Sequence, residues 1–126
     1  MSLLLPFDGS NGATSTSDNS NNNSTVTFVG TSQISTAQSK FGGSSMLFDG
    51  NSDYLTVTNS SFSSLNTSGS TFTIEFWVYF SSITGDQSPV NNYSGSSGGL
   101  LINKNSSHVI TVNLSGAGAD ITGTTT

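Results

Sequence analysis

The chain has 126 residues and a net charge of −5, from two Lys, no Arg and seven acids. That length suits one domain with one core. The charge excludes nucleic acid as a partner, because phosphate is repelled and nothing basic clusters. No apolar run is long enough for membrane insertion, and the lack of Cys removes both a disulfide framework and a thiolate zinc site.

In chain order, "MSLLLPFDG" has three leucines, no basic start and an immediate Pro6 and Asp8, so it does not read as a signal peptide. Strands are predicted at Leu3–Phe7, Thr25–Val29, Ser45–Phe48, Tyr54–Thr58, Thr71–Phe80, Leu100–Asn103 and Val109–Leu114. Each is rich in β-branched or aromatic residues and bounded by turn formers. The polar stretches "DGSNGATSTSDNSNNNS" (8–24) and "TGDQSPVNNYSGSSGG" (84–99) predict surface loops. No segment carries a sustained helical period, so helices are expected to be short or absent. Ser, Thr and Asn fill nearly half of the chain. Even so, eight Phe, three Tyr and one Trp set in alternating runs argue for a folded all-β protein and not a disordered one. "PFDGSN" and "LFDGNS" echo each other, which Asp-Gly turn chemistry explains without a duplicated fold.

The most apolar segment, "FTIEFWVYF", alternates. Phe72, Ile74, Phe76, Val78 and Phe80 fall on one side, and Thr73, Glu75, Trp77 and Tyr79 on the other. The first set is expected to be the buried face. Glu75 is expected to be a hydrogen-bonded polar residue on the second.

Taken together, "LLLPFDG", "KFGGSSMLFDGNSDYLTV" and "FTIEFWVYF" resemble the concanavalin A-like lectin/glucanase superfamily in its laminin G-like form. That form is common in phage structural and tail-fibre proteins and in bacterial secreted proteins. The resemblance covers nearly the whole chain, 1–126, as a single laminin G-like domain. It implies an antiparallel jelly-roll sandwich of two sheets. The family's Trp-x-His-Val-Ala strand and Tyr-Val-Asn-Gly hairpin have no counterpart after "HVITVNLSGAGADITGTTT". The resemblance therefore implies a jelly roll incomplete at its C-terminus, with open strand edges. Those edges would be completed by neighbouring copies, by a second protein, or by further chain.

Glucanases of this fold place two carboxylates on one strand face. Glu75 is the only glutamate, and its same-side neighbours are Thr71, Thr73, Trp77 and Tyr79, so the paired acid is missing and no catalytic residue is assigned. His108 has no Ser or Asp arranged around it in a catalytic motif. The chain reads as a non-enzyme. Glu75, Trp77 and Tyr79 instead form a candidate carbohydrate-binding set, in which rings take the apolar faces of sugars and polar groups take the hydroxyls. The alternative is that Trp77 packs inside the sandwich or under a loop. Asp8, Asp49 and Asp53 lie at strand ends beside Asn11 and Asn51 and form a candidate calcium site, an ion that laminin G-like modules often hold.

A polar, cysteine-free, extracellular-looking surface without an export signal fits a virion component, made in a host cytosol and released by lysis. The expected role is that of a structural surface protein on a virus (phage) particle, with glycan adhesion. Its partners would be other copies of itself, other virion proteins and glycans. The alternative is a carbohydrate-binding lectin module of a secreted bacterial protein, located extracellularly.

Overall fold

The computed structural model describes residues 2–58, 71–92, 99–114 and 119–123. Within them the protein is all-β and antiparallel, with no helix. None is therefore long and apolar enough to cross a membrane. The chain divides into two compact units, Met1–Phe62 and Ser63–Thr126.

The first unit holds β1 (Thr25–Val29), β2 (Gln33–Ser35), β3 (Ser45–Leu47) and β4 (Tyr54–Thr58). Pairing is nested: β2 pairs with β3, and β1 with β4 outside them. The Thr-Val-Thr runs of β1 and β4 obey the strand period. Val26, Phe28, Leu55 and Val57 are half-buried, while Thr25, Thr27, Thr56 and Thr58 face solvent. The β2 strand is centred on Ile34, the one fully buried large apolar residue among the described residues of this unit. Ile34 is also gripped through its backbone, because its N–H donates to Ala13 O (2.7 Å) and its carbonyl accepts from Gly12 N (2.8 Å).

Much of the remaining interior of this unit is polar, with Asp18, Ser20, Ser24, Ser32, Ser35 and Ser44 all buried. Asp18 organises the 8–24 loop. Its Oδ1 accepts from Leu4 N and Ser20 N (both 2.9 Å), and its Oδ2 from Ser24 N and Ser20 Oγ (both 2.8 Å). Burial works to raise the Asp18 pKa. The Leu4, Ser24 and Ser20 N–H groups and the Ser20 hydroxyl outweigh it, and hold the carboxyl well below the usual carboxylate range. The 8–24 segment is thus a loop, as expected, but one folded around a buried carboxylate and not merely laid on the surface.

Leu3–Phe7, expected as a strand, is not one. Side chains and turns capture its backbone instead. Leu4 N goes to Asp18, Leu4 O accepts from Asn19 N (2.8 Å), and Phe7 O accepts from Ser44 Oγ (2.9 Å). Pro6 has no N–H to offer, and Phe7 sits at φ 57°, outside the strand region. The two Phe-Asp-Gly echoes also differ. Gly9 lies against Ile34, whereas Gly50 turns in open space at φ +83°.

The second unit is a four-stranded meander in the order β5-β6-β7-β8, made of β5 (Gln87–Asn91), β6 (Leu100–Lys104), β7 (Ile110–Leu114) and β8 (Ala119–Thr122). Leu100 is its fully buried apolar residue. The β5 strand falls inside the stretch expected to be a loop, of which 93–98 lie outside the described residues. Pro89 disguised it. A strand with a missing N–H belongs at an edge, and β5 is an edge strand whose register shifts between Gln87 and Val90, across the proline. "ADIT", for which no strand is predicted from the sequence, forms β8 and pairs with β7 of its own chain.

Residues 71–80 do not form the strand that their alternation predicts. The expected buried face is absent as well. Phe72, Phe76 and Val78 are exposed, and Ile74 and Phe80 are half-buried. Alternation states what a strand would prefer, but a ladder needs a second strand, and no described segment pairs with this one.

Candidate functional site

Residues 74–77 line a shallow open depression in the second unit, made by Ile74, Glu75, Phe76 and Trp77. No described strand is laid over the segment, and its large rings are exposed. Trp77 is 70% exposed and Tyr79 71%. The burial of Trp77 inside a sandwich or under a loop is thereby excluded. Glu75 is exposed too. Contrary to expectation, its carboxylate has no hydrogen-bond partner among the described residues, and it is the one titratable group lining the depression. The sequence-predicted set Glu75, Trp77 and Tyr79 is therefore a stretch of two solvated rings and a free carboxylate. An indole and a phenol in water offer apolar faces with polar edges, the chemistry that stacks on pyranose C–H faces. A solvated carboxylate accepts hydroxyl hydrogen bonds.

The predicted calcium residues behave differently. Asp49 and Asp53 are brought together by Thr31, in the turn between β1 and β2. Thr31 N donates to Asp53 Oδ1 (2.6 Å), and Thr31 Oγ1 to Asp49 Oδ2 (3.0 Å) and to both oxygens of Asp53 (3.3 Å). Asp49 N reaches Asp53 Oδ2 (2.9 Å), and Asn51 N reaches Asp49 Oδ1 (2.6 Å). The Asp53 pKa is lowered, first by the Asp49 N–H and then by the Thr31 N–H and hydroxyl, against an opposing desolvation. Asp8 does not join them. It is exposed, with its Oδ1 against the Gly42 backbone.

Calcium takes roughly six to eight oxygen ligands. Here all four carboxylate oxygens of Asp49 and Asp53 already accept N–H or O–H donors. Among the described residues no group of three or more His, Cys, Asp or Glu is gathered for a metal. The donor set does not fit a calcium cage; it fits a pin between the β1–β2 and β3–β4 turns.

Two arrangements escaped the sequence reading. Asp18 carried no signal beyond its Ser/Asn neighbours. Lys104, only 3% exposed, ends β6 with its ammonium donating to Ile83 O and to Gly85 O (2.9 Å). Asp86 in the same turn accepts from Ser106 N (2.7 Å), so the 82–86 turn is held from both sides of the β6–β7 hairpin entrance. His108 sits exposed in that hairpin at φ 65°, where Asn105 Oδ1 accepts from Ser107 N and Val109 N. Comparison with protein-family models, curated proteins and solved structures finds no match to this chain.

Proposed function

We propose that the chain is a non-enzymatic surface protein of a virus particle, built on a concanavalin A-like jelly-roll sandwich, and that it contributes adhesion to glycans. The observation that carries this reading is the solvent exposure of Trp77 and Tyr79 beside Glu75. Adjacent exposed rings beside a carboxylate supply the apolar faces and the hydroxyl acceptor that sugar recognition uses. Among the described residues the depression is lined by one carboxylate, Glu75, where retaining glycoside hydrolysis uses two carboxyls about 5 Å apart. That favours binding over cleavage. The jelly roll is supported by the nested pairing of β1 with β4 around β2 and β3, since a long hairpin rolled into a sandwich pairs outer with outer and inner with inner.

The test is a glycan array probed with the unmodified chain and with Trp77→Ala. The reading expects a defined subset of glycans to be retained, and that retention to fall with the substitution. An array with no retained glycan, or one on which both proteins score alike, removes glycan adhesion from the account.

A further inference from the structure

We infer that the loop between β2 and β3 is a processing site, cut by trypsin-like proteases at the Lys40–Phe41 bond, and that the cut chain stays together as a folded two-piece protein. Proteases of this class seat a basic side chain against a carboxylate in their specificity pocket. The chain has two lysines and no arginine, so it offers two such bonds, and neither lysine precedes a proline. The fold treats the two lysines in opposite ways.

Lys104 is closed to the reaction. It ends β6, which lies between β5 and β7; it is 3% exposed, and its ammonium donates to Ile83 O and Gly85 O. A protease would have to strip β6 from both neighbouring strands before this bond could enter its cleft. Lys40 is open. Every residue from 36 to 43 is exposed, none of them lies in a strand, and Phe41, across the bond, is 69% exposed. The run reads "TAQSKFGG". Nicking concentrates in exposed loops of small and polar residues, because such a segment can be drawn out straight without breaking a ladder.

The step is a hydrolysis. The C–N bond between Lys40 and Phe41 breaks. Water gives its oxygen to the Lys40 carbonyl carbon and both hydrogens to the Phe41 nitrogen, leaving a carboxylate and an ammonium with nothing oxidised or reduced. The pieces, 1–40 and 41–126, remain joined by what crosses the cut. The β2–β3 and β1–β4 ladders each have one strand on either piece. Ser44 Oγ donates to Phe7 O and accepts from Gly9 N, and Ser45 Oγ donates to Gln38 O. Thr31 holds Asp49 and Asp53 from the other side of the cut. Severing the loop removes none of these contacts.

The experiment treats the folded full chain with trypsin and reads intact masses. Cleavage at Lys40 alone is expected, giving 1–40 and 41–126 under denaturing conditions. The native digest is expected to elute from a sizing column as one species, with the far-UV spectrum of the uncut chain. Lys40→Gln is expected to resist under the same conditions and to be cut at Lys104 once unfolded in urea. A folded chain that survives uncut, cleavage at Lys104 as fast as at Lys40, or separation of the two pieces on the column each overturns the inference. The inference does not rest on glycan binding, and a failed glycan array leaves these outcomes untouched.

Discussion

Asp53 occupies the space that a side chain on Gly30 would need. Gly30 turns out of β1 at φ +79°, and a methyl group in place of its hydrogen would overlap Asp53 Oδ1 while lying 3.2 Å from Ser52 O. The carboxylate can therefore sit on the Thr31 N–H only because residue 30 has no Cβ. Gly30→Ala is expected to unfold the first unit more readily than Gly43→Ala. Position 43 has the same left-handed backbone, at φ +83°, but nothing within 4 Å. The conformational cost common to both is about 1–2 kcal/mol, and the collision adds to it only at position 30. Urea midpoints of the two variants check this; equal midpoints would count against the pin.

Asp18 makes the acid side of the stability curve predictable. Its folded pKa is depressed below the unfolded value of about 3.9, as is that of Asp53. A depressed carboxyl contributes stability that is fully present above the unfolded pKa. That stability is lost as pH falls through the folded pKa, because the unfolded state then binds more protons. The protein is expected to hold its melting temperature from neutrality down to about pH 5 and to lose it progressively below about pH 4. Asp18→Asn should lower the neutral value and flatten the acid limb. Melting curves against pH measure both effects, and an unchanged acid limb in the variant would contradict the role given to Asp18.

The Asp49–Asp53 pin has a further consequence. Its oxygens are already engaged by N–H and O–H groups. Calcium is thus expected to leave the melting temperature unchanged, and so is a chelator. A ligand that binds only the folded state must raise that temperature. A calcium-dependent rise that Asp53→Asn abolishes would show a cation site where the hydrogen bonds place none.

Lys104→Met should loosen the 82–86 turn, because the carbonyls of Ile83 and Gly85 lose their donor. Limited proteolysis should then nick the chain near Gly85 faster than in the unmodified protein, and unchanged cleavage would argue that the turn holds itself.

Legibility in the sequence followed the range of the interactions. Thr25–Val29 and Tyr54–Thr58 were readable to the residue because each carries its own alternation. The three-residue β2, with Ile34 as its single apolar residue, is too short to show a period, and Pro89 masked β5. The strand expected at Leu3–Phe7 failed because a carboxylate fourteen residues away takes the Leu4 N–H. The strand expected at Thr71–Phe80 failed because pairing is a property of two segments. At the candidate site, alternation put Glu75, Trp77 and Tyr79 on one side of the segment. The exposure of Trp77 was not legible, since it depends on a ladder that does not form among the described residues. Asp49 and Asp53 were rightly set near one another, but the Thr31 donors that occupy them left no pattern in the spacing.

Trp77 is the only tryptophan of the chain, so its fluorescence reports the proposed glycan site alone. In the free protein its emission should be that of a solvated indole, in keeping with its 70% exposure. Titration with an oligosaccharide retained on the array is predicted to shift that emission to the blue with saturation. Tyr79→Ala should weaken the apparent affinity by about tenfold, the equivalent of roughly 1.4 kcal/mol. An emission maximum that stays at its solvated position through saturating binding would place the sugar elsewhere and contradict the account.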